Sequence, residues 1–199
     1  NVVKIFYIEK DFGPATKFIG SMLNDNISNN DILIITDDDI VKKKHWLRLL
    51  LNNYKNNRVT SFVELNLGQK IIWGYLGYAF IKKLFNVNDV LIFFEGVKND
   101  CWLVDDHWFT GYCHYRNIDI YNIPIKRNNL INHQLLEGKN ALVHLKGNNS
   151  RKQISEKCRK EIHDKYNTTF PFWCCIGCCP RYIIEKYTNY PNFKNVSKY

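Results

Sequence analysis

Two rhythms of apolar and polar positions alternate along the chain. Val2-Val-Lys-Ile-Phe-Tyr-Ile8 is dense in β-branched and aromatic residues and predicts a first strand. Asp11-Phe-Gly13-Pro14 breaks it. From Ala15 the spacing changes: apolar residues at 15, 18, 19, 22 and 23 mark one face of a helix whose first turn suits Pro14. The Asn-rich stretch from Asn24 to Asn30 ends that helix. Asp31-Ile-Leu-Ile-Ile-Thr-Asp37-Asp38-Asp39 then predicts a buried strand with three carboxylates at its carboxyl end. Strand, helix and strand in that order predict a parallel pair, with both carboxyl ends at one edge of an α/β sheet.

Further along, His45 to Leu51 predicts a second helix and Arg58 to Val63 another strand. Trp73-Gly74-Tyr75-Leu-Gly77-Tyr78 supports two readings. Its glycines fit a tight bend between strands, or a close backbone approach to a ligand lying on the aromatic faces. Leu103-Val104-Asp105-Asp106, followed by a helical stretch with His107, Trp108 and Tyr112, repeats the layout of an apolar pair ending in acids. Ser155 to Tyr166 predicts a helix, after which the chain turns aromatic and cysteine-rich.

Composition narrows the class. With 199 residues, 45% hydrophobic and 15% aromatic, the chain buries a substantial core as one domain. A net charge of +9 favours anionic partners. The cations come in short clusters, Lys42-Lys43-Lys44 and Arg151-Lys152, expected on solvated helix faces and unlike the tract of a specific nucleic-acid binder. No apolar run approaches the roughly 20 residues of a membrane span, and the amino terminus lacks a signal-peptide layout. Seven cysteines, an odd count without even spacing, point to an intracellular, reducing compartment such as the cytoplasm. Cys174, Cys175, Cys178 and Cys179 are too crowded for a four-thiolate zinc site and are expected to be buried thiols.

The acids carry the chemistry. Adjacent carboxylates repel and are costly to desolvate, so Asp37, Asp38 and Asp39 call for compensation by water or a cation, with Mg²⁺ or Mn²⁺ matching hard oxygen ligands. The helix beginning near Ala15 offers free N–H groups at the same edge, with Lys17 one turn in, as a phosphate site. Asp105 or Asp106, partly shielded by Trp102 and Trp108, could accept a proton from an attacking hydroxyl. The plainer readings are a solvated acidic turn and a helix cap.

Taken in order, Asp11-Phe-Gly-Pro-Ala-Thr-Lys17, Ile34-Ile-Thr-Asp37-Asp-Asp39, the stretch around Gly74 and Gly77, and Val104-Asp105-Asp106 with Gly111-Tyr112 resemble the GT-A class of nucleotide-sugar glycosyltransferases. The likeness is to relatives with GPATK before a DDD form of the DXD motif, and it covers about Val2 to Pro124. It implies a Rossmann-like α/β/α sandwich with a mixed sheet, in which residues 1–124 hold donor and metal and 125–199 form an acceptor-side or packing segment. Only 36 residues precede Asp37, so it also implies a shortened or missing first nucleotide-binding segment, within a larger multidomain protein.

Carried over by position, the resemblance assigns Asp39, Asp37 and His144 to the metal, and Lys17, Asp37, Asp38, Gly13 and Thr16 to the donor. Trp73, Gly74, Tyr75, Gly77 and Trp108 would contact acceptor or sugar, and Asp106, with Asp105, would serve as base in an inverting transfer. The expected partners are a UDP- or GDP-sugar and a glycan or glycoprotein, with Mn²⁺ or Mg²⁺ as cofactor. The alternatives are a weak or inactive nucleotide-sugar or carbohydrate-binding domain, a metal-dependent nuclease or phosphohydrolase, and a basic nucleic-acid-binding module.

Overall fold

The apolar runs assemble around a four-stranded sheet in a computed structural model that describes residues 5–63, 70–134 and 150–168. Strands β1 (Ile32–Ile35), β3 (Arg58–Val63), β4 (Tyr78–Ile81) and β5 (Asp119–Pro124) lie in the order β1-β4-β3-β5. β4 is antiparallel to both β1 and β3, whereas β3 and β5 are parallel. Three strands therefore run one way and β4 the other. The carboxyl ends of β1, β3 and β5 share one edge with the start of β4, and ligands of open α/β sheets bind at such an edge. A separate antiparallel pair joins β2 (Ile40–Lys42) to β6 (Ile131–Gln134).

Both faces of the sheet are covered. Leu33, Ile35, Val59, Tyr78 and Phe80 face a large aromatic cluster with α1 (Thr16–Leu23), α3 (Val87–Cys101), α4 (Asp105–Tyr115) and α6 (Arg151–Tyr166). Phe62, Ala79 and Ile123 face a smaller cluster completed by Trp46 and Leu50 of α2 (Trp46–Asn53) and by Leu130 of the one-turn α5 (Arg127–Leu130). The alternation along β4, with Tyr78 and Phe80 on one side and Ala79 on the other, is the period-two pattern of a strand buried on both faces. The chain is thus α/β with a mixed sheet, compatible with a Rossmann-like fold.

Several expectations are corrected. Ile5 to Ile8 form no strand, and Tyr7 is 94% exposed; β-propensity alone does not order a segment without a neighbouring strand to pair with. The first strand is β1, whose sheet partner is the antiparallel β4, so the parallel strand-helix-strand unit does not form. β1 is also an edge strand, with Leu33 and Ile35 buried but Ile32 exposed. Lys42 ends β2 and Lys43 and Lys44 occupy the following turn, not a helix face, because β2 needs the neighbouring β6 backbone. Asp105 and Asp106 follow helix α3, not a strand.

Cysteine chemistry departs from expectation too. Cys101 and Cys158, 57 residues apart, form a disulfide that ties the end of α3 to α6, while Cys113 is a buried free thiol. Disulfides persist in oxidising surroundings, so this bond runs against the reducing compartment inferred from the odd cysteine count. Cys174 to Cys179 lie outside the described residues. Among the described residues no helix is long and apolar enough to cross a membrane.

Candidate functional site

Three separate segments deliver charged side chains to the carboxyl edge of the sheet. α1 presents Lys17, the loop after β1 presents Asp37 to Asp39, and the first turn of α4 presents Asp105 and Asp106. Lys17 forms ion pairs with Asp37 and with Asp105, the latter at 2.9 Å. One ammonium thus bridges two carboxylates that lie 68 positions apart in the sequence. Burial disfavours its charge, but Asp105 and Asp37 more than offset that cost and raise the Lys17 pKa above the ordinary lysine value.

The acidic pair on α4 is sheltered. Burial first, and then repulsion from Asp106 and Asp37, pushes Asp105 up to about 6 against the opposing pull of Lys17. Asp106 is raised as well, mainly by burial, with Arg151 and Lys17 pulling the other way. Arg151 opens α6, whose backbone packs across α3 and α4. Neither acid makes a side-chain cap of α4, whose N-cap is Val104, so the capping alternative fails. Their position at N1 and N2 still places them where the helix dipole favours anions.

The acidic turn is divided. Asp38 is exposed. Asp39, by contrast, holds one carboxylate oxygen, Oδ1, out of solvent with no hydrogen-bond partner among the described residues. Lys42 reaches back over the turn, its Nζ donating to the carbonyl oxygens of Asp37 at 3.3 Å and Ile40 at 3.4 Å. Burial lowers the Lys42 pKa and Lys17 adds to that, while Asp37, Asp39 and Asp38 oppose it.

A hard divalent cation suits these donors, because an unpartnered, desolvated carboxylate oxygen is costly without a positive partner. Mg²⁺-type ions often take only one or two protein carboxylates and complete their shell with phosphate oxygens and water. Asp37 and Asp39, two positions apart on one turn, are the carboxylates available to such an ion. Among the described residues no group of three or more His, Cys, Asp or Glu side chains is arranged to hold a metal ion. His144, the expected third ligand, lies outside the described residues.

Other expected contacts turn out to be structural. Trp108 is 0% exposed within the aromatic core, and its indole N–H has no partner among the described residues, so it offers no surface to a sugar. Gly77, at φ +91°, lies against the Trp46 indole and serves the bend into β4. Gly13, at φ +59°, is covered by Trp102, whose Cε2 lies 2.7 Å from where a Cβ would stand. Two N–H groups ahead of α1 are already used. Phe12 N–H donates to Thr16 Oγ1 at 2.9 Å, Gly13 N–H to Asp11 Oδ1 at 2.7 Å, and the Thr16 hydroxyl to the same Asp11 oxygen at 3.3 Å. These two N–H donors precede α1, whose N-cap Ala15 makes no side-chain hydrogen bond to the helix.

Gly74 does belong to the site, since its Cα borders Asp106, and a Cβ there would meet Asp106 Cβ at 3.4 Å. Beside it, Trp73 and Tyr75 stack with ring centroids 5.8 Å apart, and Arg127 lies over Tyr75 at 5.6 Å. Sequence reasoning missed three neighbours: Lys42, Tyr78 and Arg151. Tyr78 pairs across the sheet with Ile35, two residues before Asp37, and burial followed by Asp105 and Asp37 pushes its phenol well above the ordinary value. His107, next to Asp106, is pushed down to about 3 by burial and then by Arg159 and Arg151, so its imidazole is neutral.

Comparison of the chain with protein-family models, curated proteins and solved structures gives no match.

Proposed function

We infer that the chain is a metal-dependent glycosyltransferase of GT-A type, transferring a sugar from a nucleoside-diphosphate donor to a hydroxyl acceptor with inversion. The observation that carries this reading is the convergence of Lys17, Asp37, Asp105 and Asp106 on one sheet edge from three distant segments. Their order along the sequence is also the order of motifs in the resembled class. A solvated acidic turn would need neither the half-buried pair on α4 nor the bridging lysine.

Each side chain then has a task. A divalent cation held by Asp39 and Asp37 would neutralise charge on the departing diphosphate. Lys17 adds a second positive charge beside it, an interaction that strengthens as the leaving group gains charge and so lowers the barrier. The Trp73–Tyr75 stack lies beside Gly74, and so next to Asp106, where a flat apolar surface can align a sugar ring. Asp106 takes the proton of the acceptor hydroxyl as the new bond forms at the anomeric carbon, and the nucleoside diphosphate leaves with the electrons of the broken bond. Burial raises the Asp106 pKa above the ordinary aspartate value, which makes it a stronger base than a solvated aspartate. Asp105 holds Lys17 in place.

A thermal-shift panel of UDP- and GDP-sugars, with and without Mn²⁺, tests the assignment. Stabilisation is expected only when the ion and one donor are present together, about 2.7 kcal/mol at a donor concentration one hundred times Kd. A flat panel, or an equal response to nucleic acid or to phosphomonoesters, removes it.

A further inference from the structure

Lys17 and a divalent cation need the same oxygens. Asp37, one of the two carboxylates given to the cation above, is ion-paired with the Lys17 ammonium, which Asp105 grips from the other side at 2.9 Å. Lys42 adds a second positive charge over the turn, close to the carbonyl oxygens of Asp37 and Ile40. An incoming dication therefore meets two built-in cations, although Asp39 Oδ1 offers it a buried, unpartnered oxygen. Repulsion between like charges in a partly desolvated site is strong enough to exclude an ion of ordinary affinity.

The lysine cannot step aside by losing its proton. An ammonium gripped by two carboxylates, Asp37 and Asp105, keeps its charge at neutral pH. What can draw it away is a stronger anion. A diphosphate presents several charged oxygens to which an ammonium transfers from a carboxylate at little cost.

We propose that Lys17 is the resident counter-ion of Asp37, and that a divalent cation joins Asp37 and Asp39 only once a donor diphosphate has drawn Lys17 off. Metal and diphosphate then bind as an obligate pair. By linkage, the factor by which the diphosphate tightens the metal is the factor by which the metal tightens the diphosphate. Asp105 is a positioning residue in this scheme, holding Lys17 over Asp37 until the donor arrives. The inference rests on the transferase reading for the identity of the anion, but not for the competition between lysine and metal.

The test is Mn²⁺ binding to the full chain, followed by the paramagnetic resonance signal of the free ion. It is run with no addition, with UDP and with GDP, after subtraction of each nucleotide's own Mn²⁺ binding. Wild type is expected to bind Mn²⁺ at least tenfold more tightly with one of the nucleotides than alone. Lys17→Met is expected to bind Mn²⁺ alone at least tenfold more tightly than wild type, and Lys17→Arg, which keeps the charge, to behave as wild type. An unchanged or weaker Mn²⁺ affinity in Lys17→Met overturns the counter-ion role, even if the nucleotides still act on wild type. Tightening in Lys17→Met with no nucleotide effect on wild type upholds that role and removes the donor reading instead. Should Lys17→Met fail to fold, the wild-type Lys17 ammonium resonance decides. It is expected to shift when Mg²⁺ and the nucleotide are added together, and a signal unmoved at saturation overturns the proposal.

Discussion

Asp106 carries the largest chemical demand placed on any one side chain here. It is held, half-buried, in a first helical turn beside Asp105, and must be ionised to accept a proton. Burial and the neighbouring Asp37 favour its neutral form, whereas Arg151 and Lys17 favour the charged one. The net rise means that activity depending on ionised Asp106 switches on only above the usual carboxylate range near pH 4. The acidic limb of the kcat/KM profile for transfer is therefore expected above that range. Because Arg151 opposes the rise, Arg151→Gln should move the limb to still higher pH without abolishing turnover. Asp106→Asn should remove the limb and lower kcat by about 10² to 10⁴, the usual worth of a general base, while leaving donor binding intact. A limb at ordinary aspartate pH, unmoved by Arg151→Gln, would show that the base lies elsewhere.

At the scale of elements, the bend from Trp73 to Tyr78 separates glycines with different jobs. Gly77 has a backbone angle that L side chains rarely adopt, and its Cα faces an indole pinned by a 2.7 Å hydrogen bond from Trp46 Nε1 to the Leu76 carbonyl. Gly77→Ala should therefore cost about 2 to 4 kcal/mol in urea unfolding, from strain and overpacking together. Gly74→Ala should cost about 1 kcal/mol at most, since the new methyl meets Asp106 Cβ at an ordinary 3.4 Å. Equal costs for the two would contradict the distinction. The same segment marks what the sequence could disclose. β1, β3, α1, α2 and most of α6 follow from local periodicity, and Asp37, Asp105, Asp106 and Lys17 from motif order. β4 was hidden, because a strand buried on both faces shows no alternation, and with it went the antiparallel neighbour of β1 and the place of Tyr78. α3, which is apolar on much of its surface, and the roles of Lys42 and Arg151 depend on contacts between distant segments, which no local pattern encodes.

For the whole molecule, the least legible feature is also the one with the largest expected leverage. The Cys101–Cys158 bond joins the end of α3, four residues before Asp105, to the middle of α6, seven residues after Arg151. It therefore fixes α6, the element that brings Arg151 toward Asp106, against the end of α3. Cys158 and Ile162 are fully buried against the aromatic cluster, and Tyr166 stacks on Phe93 at 4.3 Å, so α6 has packing of its own and should stay docked when the bond is cut. What is lost is the restriction on the unfolded chain. Closing a loop of 57 residues limits that ensemble by about 4 kcal/mol on the chain-entropy model. Cys101→Ser with Cys158→Ser, or reduction of wild type, is expected to lower the unfolding free energy measured in guanidinium by roughly that amount, with native far-UV circular dichroism preserved. Cys113, buried and with its thiol pKa pushed well up by burial, should resist alkylation until the protein unfolds and so reports that step separately. Unchanged stability on reduction would mean that packing alone secures α6 and that the bond adds nothing to it.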